Sequence, residues 1–308
     1  MSYQEITPAE AVKKLTEVFW NNPKASLRTL VRGVAASEKG DKATLYLSQP
    51  VTEGLKKQLT ALRPSGFDIP LDFEYVCAFH FTGVGAKLRR REGYSGRMGA
   101  FVKGSDGRYY ALTCGHVVQG EPHPDMANDV LIEGSHHPAK FAVKRVFDFR
   151  PSGVNLIDGA LAELYPSAVP PLNTMPDGSL LPTSFASYGV GVVVRHAIPN
   201  GKEGQILSTS ATLLVTVGTS EVTLNDMIIA GTSDGSQFVQ QGDSGSLFVR
   251  QDNGRPIGIL LAKAKSMTAS GQSVPSSLAI VCPLQRTLDM LKDEPEAIGH
   301  HPGPYILV

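Results

Sequence analysis

The sequence predicts a mainly β protein with a small α+β unit at its N-terminus. Beyond residue 93, many short β-branched runs alternate with glycine and proline. This texture favours a β-sandwich or barrels over a parallel sheet with crossover helices. Before that point, residues 1–86 show the order helix, strand, strand, helix, strand. The chain of 308 residues is long enough to bury one large or two modest cores.

The N-terminal elements carry clear local signals. Thr7, Pro8 and Glu10 have the spacing of a capping box with proline at the first helical position. Glycine and charged residues at 38–41 separate two apolar runs, which predicts a hairpin. The predicted elements are a helix at 7–20, strands at 29–36 and 43–47, a helix at 52–62 and a strand at 73–81.

A charged run at Lys87 to Glu92, preceded by Gly83 and Gly85, is typical of a solvated linker. We therefore predict an N-terminal unit at 1–86, a second domain at 87–296, and a tail at 297–308 that is poorly ordered or docked on the surface. Further strands are predicted at 99–103, 109–113, 141–147, 191–195, 211–217, 247–250 and 257–262, with a helix at 284–291.

Composition limits the partners and the compartment. The 29 basic and 29 acidic side chains cancel, so we expect neither nucleic acid nor a membrane as partner. The N-terminus lacks a signal-peptide pattern, and no apolar run reaches the roughly 18 residues of a bilayer span. Cys77, Cys114 and Cys282 are odd in number and far apart, which indicates reduced thiols. We expect a cytoplasmic protein.

Three motifs carry candidate chemistry. His116 ends the run LTCGH, Asp158 lies in the apolar run NLIDGAL, and Ser244 stands between glycines in QGDSGSL. A serine hydroxyl becomes a nucleophile when a histidine takes its proton and a carboxylate orients that histidine. Gly242 and Gly245 allow a tight turn, so that the main-chain N–H groups of Gly242 and Ser244 can form an oxyanion hole.

Other interpretations of these residues exist. Asp125, Asp129 and Asp148 also lie between the histidine and the serine, but a carboxylate in an apolar run needs a partner such as His116, which favours Asp158. Ser244 alone would fit an ordinary glycine-rich turn. The remaining histidines lack the spacing of zinc ligands, so we expect no metal and no cofactor; they are His80, His123, His136, His137, His196, His300 and His301.

With these motifs together, residues Gly93 to Leu291 resemble the chymotrypsin/trypsin-like family of serine proteases. TCGH is similar to the family's T-A-A-H, GDSGS to its G-D-S-G-G or G-D-S-G-S loop, and IDGAL to its D-[IL]-A-L motif. The resemblance implies two antiparallel six-stranded β-barrels. The first would supply His116 as general base and Asp158 as its orienting carboxylate, and the second would supply Ser244 as nucleophile.

The chain also departs from that family. Gly115 replaces the usual alanine, the family's cysteine after the histidine is absent, and no I-V-G-G activation sequence precedes the first barrel. Asp243 therefore needs a partner other than a new N-terminus. Phe238 stands where trypsin has an aspartate at the base of its primary pocket. With Val239 it predicts a shallow or apolar substrate pocket for small or hydrophobic side chains.

The sequence thus predicts a serine endopeptidase acting on a protein or peptide substrate through an acyl-enzyme. We expect limited proteolysis of an intracellular protein, regulated by a partner that docks on the N-terminal unit. The alternative is a catalytically latent module that keeps the protease fold for binding. Esterase activity on a small acyl substrate is a lesser variant of the first interpretation.

Overall fold

The structure is a computed structural model. It describes residues 7–20, 30–36, 42–64, 67, 69–75, 78–81, 87–89, 95–118, 131–132, 139–146, 154–164, 171–217, 220–240, 242–267, 273–274, 277–293 and 304–308. Within these ranges, no helix is both long and apolar enough to cross a membrane. Of the residues weighed above, Cys77, Asp125, Asp129, Asp148, and the histidines at 123, 136, 137, 300 and 301 lie outside the described residues.

The described chain is mainly β, as predicted. Its helices are α1 (Pro8–Trp20), α2 (Glu53–Ala61) and α3 (Leu284–Asp293), with a 3-10 turn at Gly115–Val118. Its strands are β1 (Val31–Ala36), β2 (Ala43–Leu47), β3 (Leu71–Tyr75), β4 (Ala78–Phe81), β5 (Lys87–Arg89), β6 (Ser95–Arg97), β7 (Ala100–Lys103), β8 (Tyr109–Thr113), β9 (Leu131–Ile132), β10 (Ala139–Val146), β11 (Val154–Asn155), β12 (Gly159–Leu164), β13 (Val193–His196), β14 (Glu203–Val217), β15 (Ser220–Gly231), β16 (Leu247–Arg250), β17 (Pro256–Met267), β18 (Ser273–Val274), β19 (Leu278–Pro283) and β20 (Ile306–Leu307).

The N-terminal capping box forms as predicted. The main-chain N–H and the hydroxyl of Thr7 donate to Glu10 Oε2 at 2.9 and 2.8 Å, and the Glu10 N–H donates back to Thr7 Oγ1 at 3.3 Å. Thr52 caps α2 by accepting from the Leu55 N–H at 3.2 Å. Both helices bury apolar side chains together with β1 and β2 in one core cluster, so they cover one face of this part of the sheet.

The predicted strand at 73–81 is two strands instead. β3 pairs in parallel with β2, with Leu45 opposite Phe73. β4 belongs to the same large sheet but has other neighbours, because it pairs with β14 in parallel and with β17 in antiparallel orientation. The alternating residues 73–81 thus form two strands with different partner strands. The alternation predicts a strand but does not show which strand it pairs with.

Six strands pair with one another in a closed ring. β13 pairs with β14 and β16, β16 with β17, β17 with β19, β19 with β15, and β15 with β14. Every one of these pairs is antiparallel. The ring has the strand number and orientation predicted for the second barrel, and Phe238 and Phe248 lie in one of its core clusters.

Strands β5 to β10 and β12, with β20 from the C-terminal end, form two smaller sheets. Five strands follow the order β10, β12, β8, β7, β20, and a separate sheet holds β6, β5 and β9. In the part of the chain described, no pairing joins these two sheets, so a six-stranded first barrel stays a prediction. The end of the tail is docked, because β20 pairs with β7 and Asn173 Nδ2 donates to the Val308 carbonyl at 2.7 Å.

The N-terminal unit shares a sheet with the ring. β1 pairs with β14 through Gly33 opposite Leu213 and Ala35 opposite Ala211. Val34 lies in the N-terminal core, whereas Ala35 lies in the large central core. Successive residues of β1 thus bury on two sides of one sheet. The boundary at residues 86 and 87 stays a prediction.

Candidate active site

His116 and Asp158 form a buried pair. The His116 ring Nδ1 hydrogen-bonds Asp158 Oδ2, and the His116 main-chain N–H donates to Asp158 Oδ1 at 3.1 Å. Asp158 is fully buried, while the His116 side chain keeps 10% of its surface exposed. A buried carboxylate fixes the proton of a neutral imidazole on the nitrogen it contacts. In a neutral ring this contact favours the tautomer with its proton on Nδ1, which leaves Nε2 the lone pair that a general base needs.

The register of two strands places this pair. β8 and β12 are antiparallel neighbours, with Thr113 opposite Ala160. His116 follows the end of β8 in a 3-10 turn, and Asp158 directly precedes β12. Because antiparallel strands bring the end of one beside the start of the other, the two residues meet at one end of the five-stranded sheet.

Ser244 lies in a turn that requires glycine on both sides. Gly242 has φ of 109° and Gly245 has φ of 88°, a region that side chains disfavour. A Cβ at Gly245 would lie 2.0 Å from the Arg97 carbonyl oxygen, so the backbone approaches too closely for any other residue. The glycine conformations agree with the tight turn that the sequence predicted, and the oxyanion hole formed by the N–H groups of Gly242 and Ser244 stays a prediction.

The histidine and serine segments converge on β17. The Cys114 thiol, two residues before His116, donates to the Leu260 carbonyl at 3.2 Å. The Gly245 N–H, one residue after Ser244, donates to the same carbonyl at 2.7 Å. The Leu260 carbonyl oxygen thus binds both the segment that carries His116 and the segment that carries Ser244.

The Ser244 hydroxyl donates to the Leu261 carbonyl at 3.0 Å, and the side chain is fully buried. The hydroxyl is therefore bonded to the main chain of β17, and its role as nucleophile with His116 as base stays a prediction.

Arg97 is a site residue that the sequence analysis missed. Its Nη2 lies 3.3 Å from Asp243 Oδ1, and its Nε donates to the Gly242 carbonyl at 3.4 Å. Its main-chain N–H donates to the Ser244 carbonyl at 2.7 Å. Arg97 therefore contacts three successive residues of the turn, and it supplies the cation that Asp243 needed. The sequence indicated only that Asp243 needs a partner. Nothing in it distinguishes Arg97 from the neighbouring arginines.

Asp243 is buried and held by two kinds of donor. Its Oδ2 accepts from the Gln240 N–H at 2.9 Å, while Arg97 contacts Oδ1. Burial raises the pKa of Asp243, and the Gln240 N–H and the Arg97 guanidinium oppose that rise. The carboxylate thus depends on these donors to remain ionised in its buried position.

A second buried histidine, His196, is linked to the turn around Ser244 through the Ser246 hydroxyl. His196 Nε2 contacts the Ser246 hydroxyl, and that hydroxyl donates to the Asp243 carbonyl. The His196 ring stacks on Phe248 with centroids 4.9 Å apart. Burial, and then the nearby Arg97 charge, lower the pKa of His196 to about 3. The imidazole is therefore neutral at physiological pH and acts as a hydrogen-bonding part of the core.

Phe238 and Val239, predicted to line a substrate pocket, are packed in the ring's core with 3% and 1% of their surface exposed. The Phe238 ring meets Phe248 edge to face, with centroids 5.3 Å apart. A Cβ at Gly204 would lie 2.7 Å from Phe238 Cζ. Phe238 and Val239 thus form part of an apolar core, and contact between these two residues and a substrate stays a prediction.

Cys114, His116 and Asp158 also form the kind of cluster that can hold a metal ion, with ligand atoms within 4.8 Å of one another. Zinc binding would require the Cys114 thiolate. Burial, and then the Asp158 charge, raise the pKa of Cys114 well above its usual value, and the thiol donates to Leu260. The donor set therefore fits a protonated cysteine beside a His–Asp pair better than a zinc site.

No protein-family model and no curated protein matches the chain. Solved structures do resemble it. Nocardiopsis protease (NAPase) is 16% identical with a TM-score of 0.46, over 68% of this chain and 95% of that one. A glutamic acid specific serine protease, described as using a histidine triad in substrate binding, is 17% identical with a TM-score of 0.42, over 68% and 99%. Thermobifida fusca protease A is 14% identical with a TM-score of 0.43, over 68% and 95%. Such distant likenesses say nothing of this chain's activity.

Proposed function

We propose that the chain is a serine endopeptidase with Ser244 as nucleophile, His116 as general base and Asp158 as the orienting carboxylate. The observation that carries the proposal is the buried pair, in which Asp158 accepts from both the ring and the main chain of His116. An ionised carboxylate is expensive to bury, and this arrangement gives it a partner whose tautomer it controls, as a serine–histidine mechanism requires.

In the proposed reaction, Ser244 Oγ attacks the carbonyl carbon of a peptide bond and its proton passes to His116 Nε2. The new C–O bond leaves a negative charge on the carbonyl oxygen, which the N–H groups of Gly242 and Ser244 stabilise. The C–N bond then breaks as His116 gives the proton to the leaving amine. Water, activated by His116, hydrolyses the acyl-enzyme and restores Ser244.

Arg97 takes the place of an activating N-terminus in this proposal. A catalytic turn must hold its N–H groups at the position of the developing oxyanion. The charge on Arg97 and its bond to the Gly242 carbonyl fix the peptide groups on both sides of Asp243. Arg97 is thus a positioning residue, which acts through the turn and not on the substrate.

Arg97→Gln is expected to lower kcat by about 100-fold and to leave KM within about threefold of wild type, because one misplaced oxyanion donor has effects of this size. Arg108→Gln is the matched control, since Arg108 also pairs with a carboxylate, Glu163, at 3.4 Å, but it precedes β8, whereas His116 follows the other end of that strand. Steady-state kinetics on a peptide substrate measure both. Equal kcat values for the two variants would contradict the positioning role.

The proposed substrate is a protein or peptide with a small or hydrophobic residue before the cleaved bond. Support comes from the apolar pair Phe238 and Val239, which offers no charge to a basic or acidic side chain. Digestion of a proteome-derived peptide mixture, with new termini identified by mass spectrometry, tests the function. We expect cleavages clustered after such residues, absent with Ser244→Ala; identical fragment patterns for both proteins would contradict the proposal.

Limited proteolysis of a cytoplasmic protein, under control of a partner bound to the N-terminal unit, completes the proposal. The location is supported by Cys114 and Cys282, which are buried free thiols. Control through the N-terminal unit is supported by the shared sheet, in which β1 pairs directly with β14 of the ring.

A latent binding module is the second candidate. The observation that favours it is the buried Ser244 hydroxyl, which donates to Leu261. In this alternative the turn and the His–Asp pair would be retained for stability. The peptide digestion distinguishes the two candidates, because a latent module produces no new termini.

A further inference from the structure

Three segments follow one another along one edge of β17. β16 pairs with its first part, placing Phe248 opposite Gly258, and β4 pairs with a later part, placing Phe81 opposite Ala262. β19 pairs with Gly258 and with Ala262 as well, so β16 and β4 both lie on the edge away from β19.

The nucleophile turn lies between those two strands. The Leu260 N–H donates to the Ser246 carbonyl at 2.8 Å, which continues the β16 ladder. Leu261, the next residue of β17, accepts the Ser244 hydroxyl at 3.0 Å. Ala262 then begins the pairing with β4. Phe81, the last residue of β4, thus lies opposite Ala262, which directly follows the residue that binds the Ser244 hydroxyl.

The direction of β4 is that of a bound acyl segment. A substrate's residues before the cleaved bond must run, from N to C, toward the nucleophile. β4 is antiparallel to β17, with Ala78 opposite Lys265 and Phe81 opposite Ala262. Its C-terminal end therefore lies nearest Ser244. An extended peptide that added to this edge by main-chain hydrogen bonds would take the same path.

We propose that residues 78–81 are a built-in occupant of the peptide-binding edge, so that an extended substrate must displace β4 from β17. This inference rests on the proposed function and names the regulation of the same site. The occupant is the chain's own N-terminal unit, and the ligand that replaces it is an extended peptide. A partner that pulls the N-terminal unit away from β17 would raise turnover.

β4 is a short strand. It has four residues, and it is held along both edges, by β14 at Val215 and Thr216 and by β17. Few main-chain bonds hold so short a strand, and each contributes little net free energy. Occupancy would therefore reduce turnover in the resting chain without blocking it permanently.

Proline variants of the full chain test the proposal. N–H groups of successive strand residues point to opposite edges, so Phe79→Pro and His80→Pro each remove a bond, one toward β17 and one toward β14. Phe79→Ala and His80→Ala are matched controls that keep the N–H. We expect each proline variant to hydrolyse a tetrapeptide p-nitroanilide with kcat/KM raised about tenfold over its alanine control.

Suppose that the proline variants fold with a wild-type melting transition and yet hydrolyse the tetrapeptide no faster than their alanine controls. That result would overturn the role of β4. Should the proline variants fail to fold, hydrogen exchange of wild type decides. Labelling Ser244 with a tetrapeptidyl phosphonate should speed exchange of amides 79–81, whereas a small fluorophosphonate should not. Unchanged exchange with the peptidyl probe overturns the role of β4. If neither probe labels any form of the protein, the proposed function fails, and this inference with it.

Discussion

Ser244→Ala is expected to lower peptide turnover by about a millionfold while the protein stays folded. The substitution removes the attacking oxygen and one hydrogen bond, to the Leu261 carbonyl. Losing that bond lowers the free energy of unfolding by about 1 kcal/mol, which corresponds to a melting temperature reduced by roughly 2–4 °C. Turnover of a chromogenic peptide and a thermal melt measure the two effects.

Ser246→Ala is the matched control for this experiment. Ser246 lies two residues further on, and its hydroxyl contacts the His196 ring and the Asp243 carbonyl. Its loss should reduce stability through unsatisfied buried groups, yet keep turnover within about tenfold of wild type. If Ser246→Ala abolished turnover and Ser244→Ala did not, the nucleophile would be misassigned.

Asp158→Asn is expected to lower kcat by about 10,000-fold. The asparagine oxygen can still accept from the His116 main-chain N–H, which keeps the geometry at 3.1 Å. Its amide, however, donates to the ring nitrogen that Asp158 contacted, so the imidazole proton moves to Nε2. A protonated Nε2 cannot take the proton from Ser244, and the negative charge that stabilises the imidazolium is also lost.

Asp148→Asn is the matched control, because Asp148 is one of the other carboxylates between the His116 and Ser244 motifs; it lies outside the described residues. We expect its kcat to stay near wild type. Equal losses from both aspartate variants would mean that Asp158 is not the residue that orients His116.

Local chemistry in the sequence predicted many elements closely. Thr7 and Glu10 mark the start of α1, since a capping box depends on residues three positions apart, and the helix predicted at 52–62 runs over Glu53–Ala61. The runs at 43–47, 109–113 and 247–250 are strands with the predicted bounds. Each is short, apolar and bounded by turn residues, so neighbours in sequence suffice to define it.

Contacts between distant residues could not be predicted. β19 went unnoticed because it pairs with β15, which lies far away in the chain, whereas β15 was missed although it pairs with β14 directly before it. The Arg97–Asp243 pair joins residues 146 positions apart, by their numbering, and no short motif encodes it. The split of 73–81 into β3 and β4 likewise depends on which strand each half meets. Motifs identified His116, Asp158 and Ser244, and the fold decided what surrounds them.

Labelling of the purified full chain with a small fluorophosphonate, with the adduct located by mass spectrometry, tests the central claim most directly. An activated serine reacts with such a probe, whereas an ordinary buried hydroxyl does not. We predict one adduct, on Ser244, lost in Ser244→Ala and strongly reduced in Asp158→Asn. No adduct on the folded wild-type protein, or an adduct on another residue, would contradict the claim that Ser244, His116 and Asp158 form a working catalytic site.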